Sequence, residues 1–129
     1  MKTELTMLAW SAALCVLLVL PYAIGFARTV GLAELAGNRE NFPAGTGWIG
    51  RARRAHANMI ENLVPFAALV LAVVVAGRSS GTTALAAELF LAGRVVHAVA
   101  YIAGIGWVRT LGFAAGVVAM AMLFAALVG

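Results

Sequence analysis

Residues 51–66, RARRAHANMIENLVPF, carry a basic cluster straight into a hydrophobic segment that still holds Asn58 and Glu61. At about 100° per helical residue, Arg54, Asn58, Glu61 and Pro65 fall on one narrow stripe with Arg51 at its edge. A second stripe lies in residues 92–104, AGRVVHAVAYIAG, where Arg94, His97 and Tyr101 stand at i, i+3 and i+7. Guanidiniums pair with carboxylates bidentately, Glu61 can take an ammonium, and Asn58, His97 and Tyr101 supply directed hydrogen bonds. A carboxylate inside a membrane span costs about 2.5–3.5 kcal/mol on insertion scales. Glu61 is therefore expected to be buried against a cation from another helix, with Arg94 as the candidate, so that the two stripes meet.

The elements that must position these groups are membrane spans. The chain has 129 residues, of which 64% are hydrophobic and 11% charged, and its mean hydropathy of +1.00 exceeds that of an ordinary soluble fold. At about 20 residues per span there is room for four spans and little else. The expected fold is all-α: a single-domain integral membrane four-helix bundle of up-down topology, with spans near residues 5–27, 53–76, 84–104 and 109–128. Span one has no charged residue, and Pro21 is expected to kink it. Lys2 ahead of an apolar run and the small-x-small Gly25-Phe26-Ala27 also fit a signal peptide, but Glu4 dilutes the positive region and the run is long enough to span. Residues 28–50 read as an interfacial loop broken by glycines and Pro43, with Trp48 as an anchor at the headgroup level. Pro65 is expected to kink span two. Residues 77–83 and 105–108 read as tight turns, and Gly112 and Gly116 form a GxxxG that would permit close packing.

The net charge of +4 is clustered. Arg28, Arg39, Arg51, Arg53, Arg54 and Arg109 lie in or beside the first and third loops, against Lys2 and Arg78 on the other side. The positive-inside rule then places both termini outside and both polar stripes in the cytoplasmic half, in a multi-pass protein expected in a bacterial inner membrane. No nucleic-acid platform accompanies the charge. The single Cys15 excludes an intrachain disulfide and a Cys-based metal motif, no metal site is expected, and any thiol chemistry must use a substrate's thiol. A proton-coupled exporter of four spans would need a carboxylate in span one, which residues 5–27 lack.

R-A-H-x-N-x-x-E followed by P-F, then G-R-V-x-H-x-V-A-Y, then an Arg at the head of the last span resemble the MAPEG family, the membrane-associated proteins in eicosanoid and glutathione metabolism. The resemblance is detailed over residues 51–113. It implies a homotrimer with a glutathione site at each subunit interface, where glutathione serves as co-substrate. Arg54, Asn58 and Glu61 would meet Arg94, His97, Tyr101 and Arg109, with Arg28 and Arg51 as further basic contacts. Arg109 would be the catalytic cation that stabilises the thiolate, the reactive form of sulfur. A lipophilic electrophile or hydroperoxide would arrive through membrane lipid, as substrate of a glutathione transferase or peroxidase. The alternative of the same fold is a non-catalytic lipid-binding or scaffold protein. Phe113 stands where some eicosanoid synthases carry Tyr, Thr110 where prostaglandin E synthases carry Ser, and Ala57 replaces an Arg. These departures point away from prostaglandin synthesis and bear less on glutathione binding.

Several residues also have plainer readings. Arg51 and Arg53 suit cytoplasmic anchors, Glu61 with Arg94 suits a structural pair, His97 suits a satisfied core histidine, His56 reads as interfacial, and Glu88 as an edge residue off the stripe.

Overall fold

A computed structural model describes all residues 1–129 and contains six helices: α1 (Thr3–Leu17), α2 (Val19–Thr29), α3 (Leu32–Ala36), α4 (Gly47–Val75), α5 (Gly81–Ala103) and α6 (Gly106–Val128). Four stretches are long and apolar enough to cross a membrane: Thr3–Thr29, Gly47–Val75, Gly81–Ala103 and Gly106–Val128. The protein is an all-helical, multi-pass membrane bundle. The first span is interrupted only at Leu18, whose backbone keeps right-handed helical angles of φ −68° and ψ −11°. Pro21 accounts for this break three residues upstream, because it has no N–H to give to Leu17 and its ring crowds that carbonyl.

Helix ends differ from the sequence expectation for identifiable reasons. The first loop is shorter than residues 28–50. α2 continues to Thr29, a short α3 forms inside the loop, and α4 already begins at Gly47, so Trp48 lies in its first turn. Glycine is required at Gly50 by close approach rather than flexibility, since a Cβ there would lie 2.7 Å from the Gly45 carbonyl oxygen. The third turn narrows to Gly104 and Ile105, and Arg109 falls in the first turn of α6, its N–H bonded to the Ile105 carbonyl at 3.1 Å. The turn is this tight because Gly104 takes φ +82°, a left-handed cap that a side chain would disfavour. At its other end α5 opens on a capping box, with the Thr83 N–H bonding Ser80 Oγ at 3.2 Å and the Ser80 N–H bonding Thr83 Oγ1 at 2.7 Å.

The core runs along one line of α4, through Met59, Asn62, Phe66, Val70 and Val73. Phe66 stacks on Phe90 of α5 at 3.7 Å between centroids and 7° between planes. α5 and α6 approach backbone to backbone. A Cβ on Gly112 would lie 2.7 Å from the Gly93 carbonyl oxygen and 2.7 Å from the His97 nitrogen, whereas one on Gly116 would meet nothing closer than 3.6 Å. The close-packing motif is thus Gly93 against Gly112, with Gly116 secondary. The far end of the bundle is fastened by Glu4, which stands in the first turn of α1, is only 3% exposed, and accepts a hydrogen bond from Thr83 Oγ1. The first span therefore does contain a carboxylate, at its terminus.

Candidate functional site

At the end bearing Arg109, α4, α5 and α6 border an open cleft of about 300 Å³ lined by Asn58, His97, Tyr101, Arg109, Thr110 and Phe113. Asn58 comes from α4, His97 and Tyr101 from the last turns of α5, and the remaining three from the first turns of α6. Beneath the cleft lies Arg94, 1% exposed. Its Nη2 donates to Asn58 Oδ1 at 2.7 Å and to His97 Nδ1 at 3.2 Å. Arginine has no acceptor, so His97 Nδ1 must be the accepting nitrogen and the ring proton sits on Nε2. Asn62 Nδ2 also donates to Asn58 Oδ1, at 3.2 Å. With that oxygen turned to Arg94 and Asn62, the Asn58 amide NH₂ remains for the cleft.

The other donors are arranged around Tyr101. Its ring has the Arg109 guanidinium 4.7 Å away on one side and the Arg54 guanidinium at 6.0 Å, and it meets His97 edge-on at 5.4 Å. Such cation–π contacts hold the long arginine side chains near the cleft without consuming their N–H donors. The Thr110 hydroxyl gives its proton to the Gly106 carbonyl at 3.0 Å, leaving its lone pairs outward. The cleft therefore gathers guanidinium, amide, imidazole and phenol donors, and no carboxylate lines it. Arg94 Nε and Nη1 have no hydrogen-bond partner although both are buried. A buried cation left without an opposite charge costs several kcal/mol, so this end of the bundle favours an anion.

One sequence expectation, the pairing of Glu61 with Arg94, is corrected here. Glu61 does not neutralise Arg94: it is exposed, and the guanidinium hydrogen-bonds Asn58 and His97 instead. Glu61 precedes the buried Asn62 by one residue, about 100° of rotation, which turns it out of the bundle while Asn58 points in. Arg51 Nε donates to the Ile102 carbonyl at 3.0 Å and satisfies one of the last carbonyls of α5. Arg28 lies exposed in the last turn of α2, outside the cleft. His56 pairs its Nδ1 with the Tyr22 hydroxyl at 2.9 Å and ties α2 to α4. Asn62, whose i, i+4 spacing from Asn58 is a visible signal, has no role in the sequence reading, whereas Thr110 and Phe113, noted there as departures from family residues, both line the cleft.

A family model described as the MAPEG family matches residues 5–129. The chain is 37% identical over 54 residues to microsomal glutathione S-transferase 1 of Homo sapiens, covering 42% of this chain and 35% of that protein. The corresponding figures are 39% for the Sus scrofa protein and 35% for the Rattus norvegicus protein, with the same coverage. The matches thus span about a third of the length of these relatives. No solved structure matches. With four apolar spans, a polar cleft between the last three and a family match along nearly its whole length, the chain belongs to the MAPEG family.

Proposed function

We propose that the protein binds glutathione in the cleft between α4, α5 and α6 and passes its thiolate to lipophilic electrophiles or hydroperoxides. The observation that carries this reading is the gathering of Arg54, Arg94 and Arg109 around Tyr101 and Asn58 without a carboxylate in the cleft. Glutathione brings two carboxylates, an ammonium and a thiol. Arg54 and the Asn58 amide take the carboxylates. Arg94 acts through Asn58 and His97, fixing the direction of their donors. Arg109 stands beside Tyr101 and holds the sulfur as thiolate, with Tyr101 donating to the same atom. The thiol proton leaves to water, the sulfur forms a bond to the electrophilic carbon, and the leaving group departs with its electron pair. With a hydroperoxide, sulfur attacks the distal oxygen, the O–O bond breaks to release an alcohol, and a second glutathione converts the sulfenic product to disulfide and water. Preorganised cation and hydrogen-bond donors near developing negative charge supply the main catalytic effect.

Glu61 supplies the ammonium contact from a neighbouring copy in a homotrimer. Its carboxylate is exposed on α4 inside a span, and leaving it against lipid costs about 2.5–3.5 kcal/mol, so a second subunit over that face is favoured. The cleft lies in the cytoplasmic half, with both termini outside. After Cys15→Ala, an impermeant thiol reagent applied to intact cells should then label a cysteine placed at Ser80 and spare one at Gly45; the reverse pattern overturns the orientation. The function itself is tested by calorimetry of glutathione binding to the detergent-purified protein, followed by turnover with a generic electrophile. Saturable binding with turnover supports a transferase, binding without turnover supports a non-catalytic protein of the same fold, and absence of binding sinks the glutathione assignment.

A further inference from the structure

A second cleft, sharing no residue with the first, lies between α2, α3 and the start of α4 and encloses about 200 Å³. Its floor is aromatic: Phe26 packs against Phe42 at 4.6 Å between centroids, and Tyr22 meets Phe26 edge-on at 6.5 Å. Its rim carries two guanidiniums, with Arg53 5.9 Å from the Phe26 ring centre and Arg39 5.3 Å from that of Phe42. Both arginines are exposed, and no carboxylate lines the cleft. Glu34 and Glu40 border a separate polar depression with Arg39, whose one side-chain hydrogen bond goes to the Leu35 carbonyl at 2.6 Å.

Two features mark the cleft as built. Arg39 is the single non-glycine residue with positive φ, +58°, and this left-handed kink returns the chain so that Phe42 packs on Phe26 and the Arg39 guanidinium lies over Phe42. The Tyr22 wall is fixed from behind by the hydrogen bond to His56. From Val19 in the cleft, the exposed apolar surface continues toward the middle of the first span through Val16. An occupant with an anionic head and an apolar tail would satisfy both halves at once.

We infer that this cleft binds the headgroup of an anionic phospholipid from the surrounding bilayer, its phosphate between Arg39 and Arg53 and its acyl chain along the first span past Val19 and Val16. Guanidiniums match phosphate oxygens bidentately, and basic pockets between spans suit anionic lipid heads.

The test is native mass spectrometry of the protein released from nanodiscs of equal phosphatidylglycerol and phosphatidylcholine. The wild type should retain phosphatidylglycerol preferentially. Arg39→Gly/Arg53→Gln should lower that preference about 25-fold, at about fivefold per arginine, while Arg78→Gln, at the opposite end of the bundle, leaves it unchanged. Glycine suits the left-handed backbone at position 39, so the variant removes charge without adding strain. An unchanged preference in the double variant overturns the site. A parallel titration of oleate into phosphatidylcholine discs separates the sources: oleate binding that depends on both arginines, with no enrichment of phosphatidylglycerol, overturns the phospholipid assignment in favour of a free fatty acid.

Discussion

Arg94 Nη2 donates to Asn58 Oδ1 at 2.7 Å across the α4–α5 interface, and this bond both helps to anchor a fully buried cation and, with the bond from Asn62, turns the Asn58 oxygen away from the cleft. Stability and ligand binding are therefore separable at position 58. Asn58→Leu removes the acceptor and should cost about 1.5–3 kcal/mol, the range for hydrogen bonds to charged groups. Asn58→Asp restores an acceptor for Arg94 and should melt near the wild type, yet it replaces the donor NH₂ by an oxygen and should weaken glutathione binding tenfold or more, at about 1.4 kcal/mol per tenfold. Thermal melting in detergent beside calorimetry distinguishes the two; equal binding by wild type and Asn58→Asp would mean that the amide does not touch the ligand.

Glu61 and Arg94 are expected to be energetically independent. Glu61 is exposed, while Arg94 is held by other partners, so the destabilisations of Glu61→Gln and Arg94→Leu should add within about 0.5 kcal/mol in a double-mutant cycle. A coupling of several kcal/mol, the signature of a buried ion pair, would restore the pairing that the stripes alone suggested.

Gly112 and Gly116 should behave oppositely. A methyl on Gly112 collides with the Gly93 carbonyl and the backbone of His97, forcing α5 and α6 apart at a cost of about 1–3 kcal/mol and displacing the imidazole from the cleft. At Gly116 the nearest atoms leave ordinary contact distance, and alanine gains about 1 kcal/mol of helix propensity, so Gly116→Ala should be neutral or stabilising. Melting temperatures of both variants check this, and equal losses would show that the close approach at Gly112 is not what holds these helices.

The number of spans was legible because nothing but a bilayer accommodates so apolar a chain, and the Arg94, His97 and Tyr101 grouping was legible because i, i+3 and i+7 share a helix face. The phase of α4 was not. In a soluble helix the polar face marks the outside, but here the outward face is as apolar as the core. The stripe of Arg54, Asn58 and Glu61 therefore straddles the boundary between them, with Asn58 turned in and Glu61 out. Arg51 could not be told from a membrane anchor, because its partner is a carbonyl 51 residues away. The same holds for Tyr22 with His56 and for Glu4 with Thr83, pairs that only tertiary packing brings together.

The most direct measurement is the thiolate absorbance of bound glutathione in rapid mixing, recorded for wild type and Arg109→Leu, together with steady-state turnover of a generic electrophile. Arg109 is the cation closest to the Tyr101 ring at the mouth of the cleft, and Arg54 remains 6.0 Å from that ring to help retain the ligand. A contact made more strongly to thiolate and transition state than to bound thiol appears in the rate constant rather than in affinity. Arg109→Leu should therefore lose most of the thiolate signal and about 10²–10³-fold in turnover, while its dissociation constant rises less than that of Asn58→Ala. Full thiolate signal and full turnover in Arg109→Leu would contradict the assignment of this cleft as the place where sulfur is activated by Arg109.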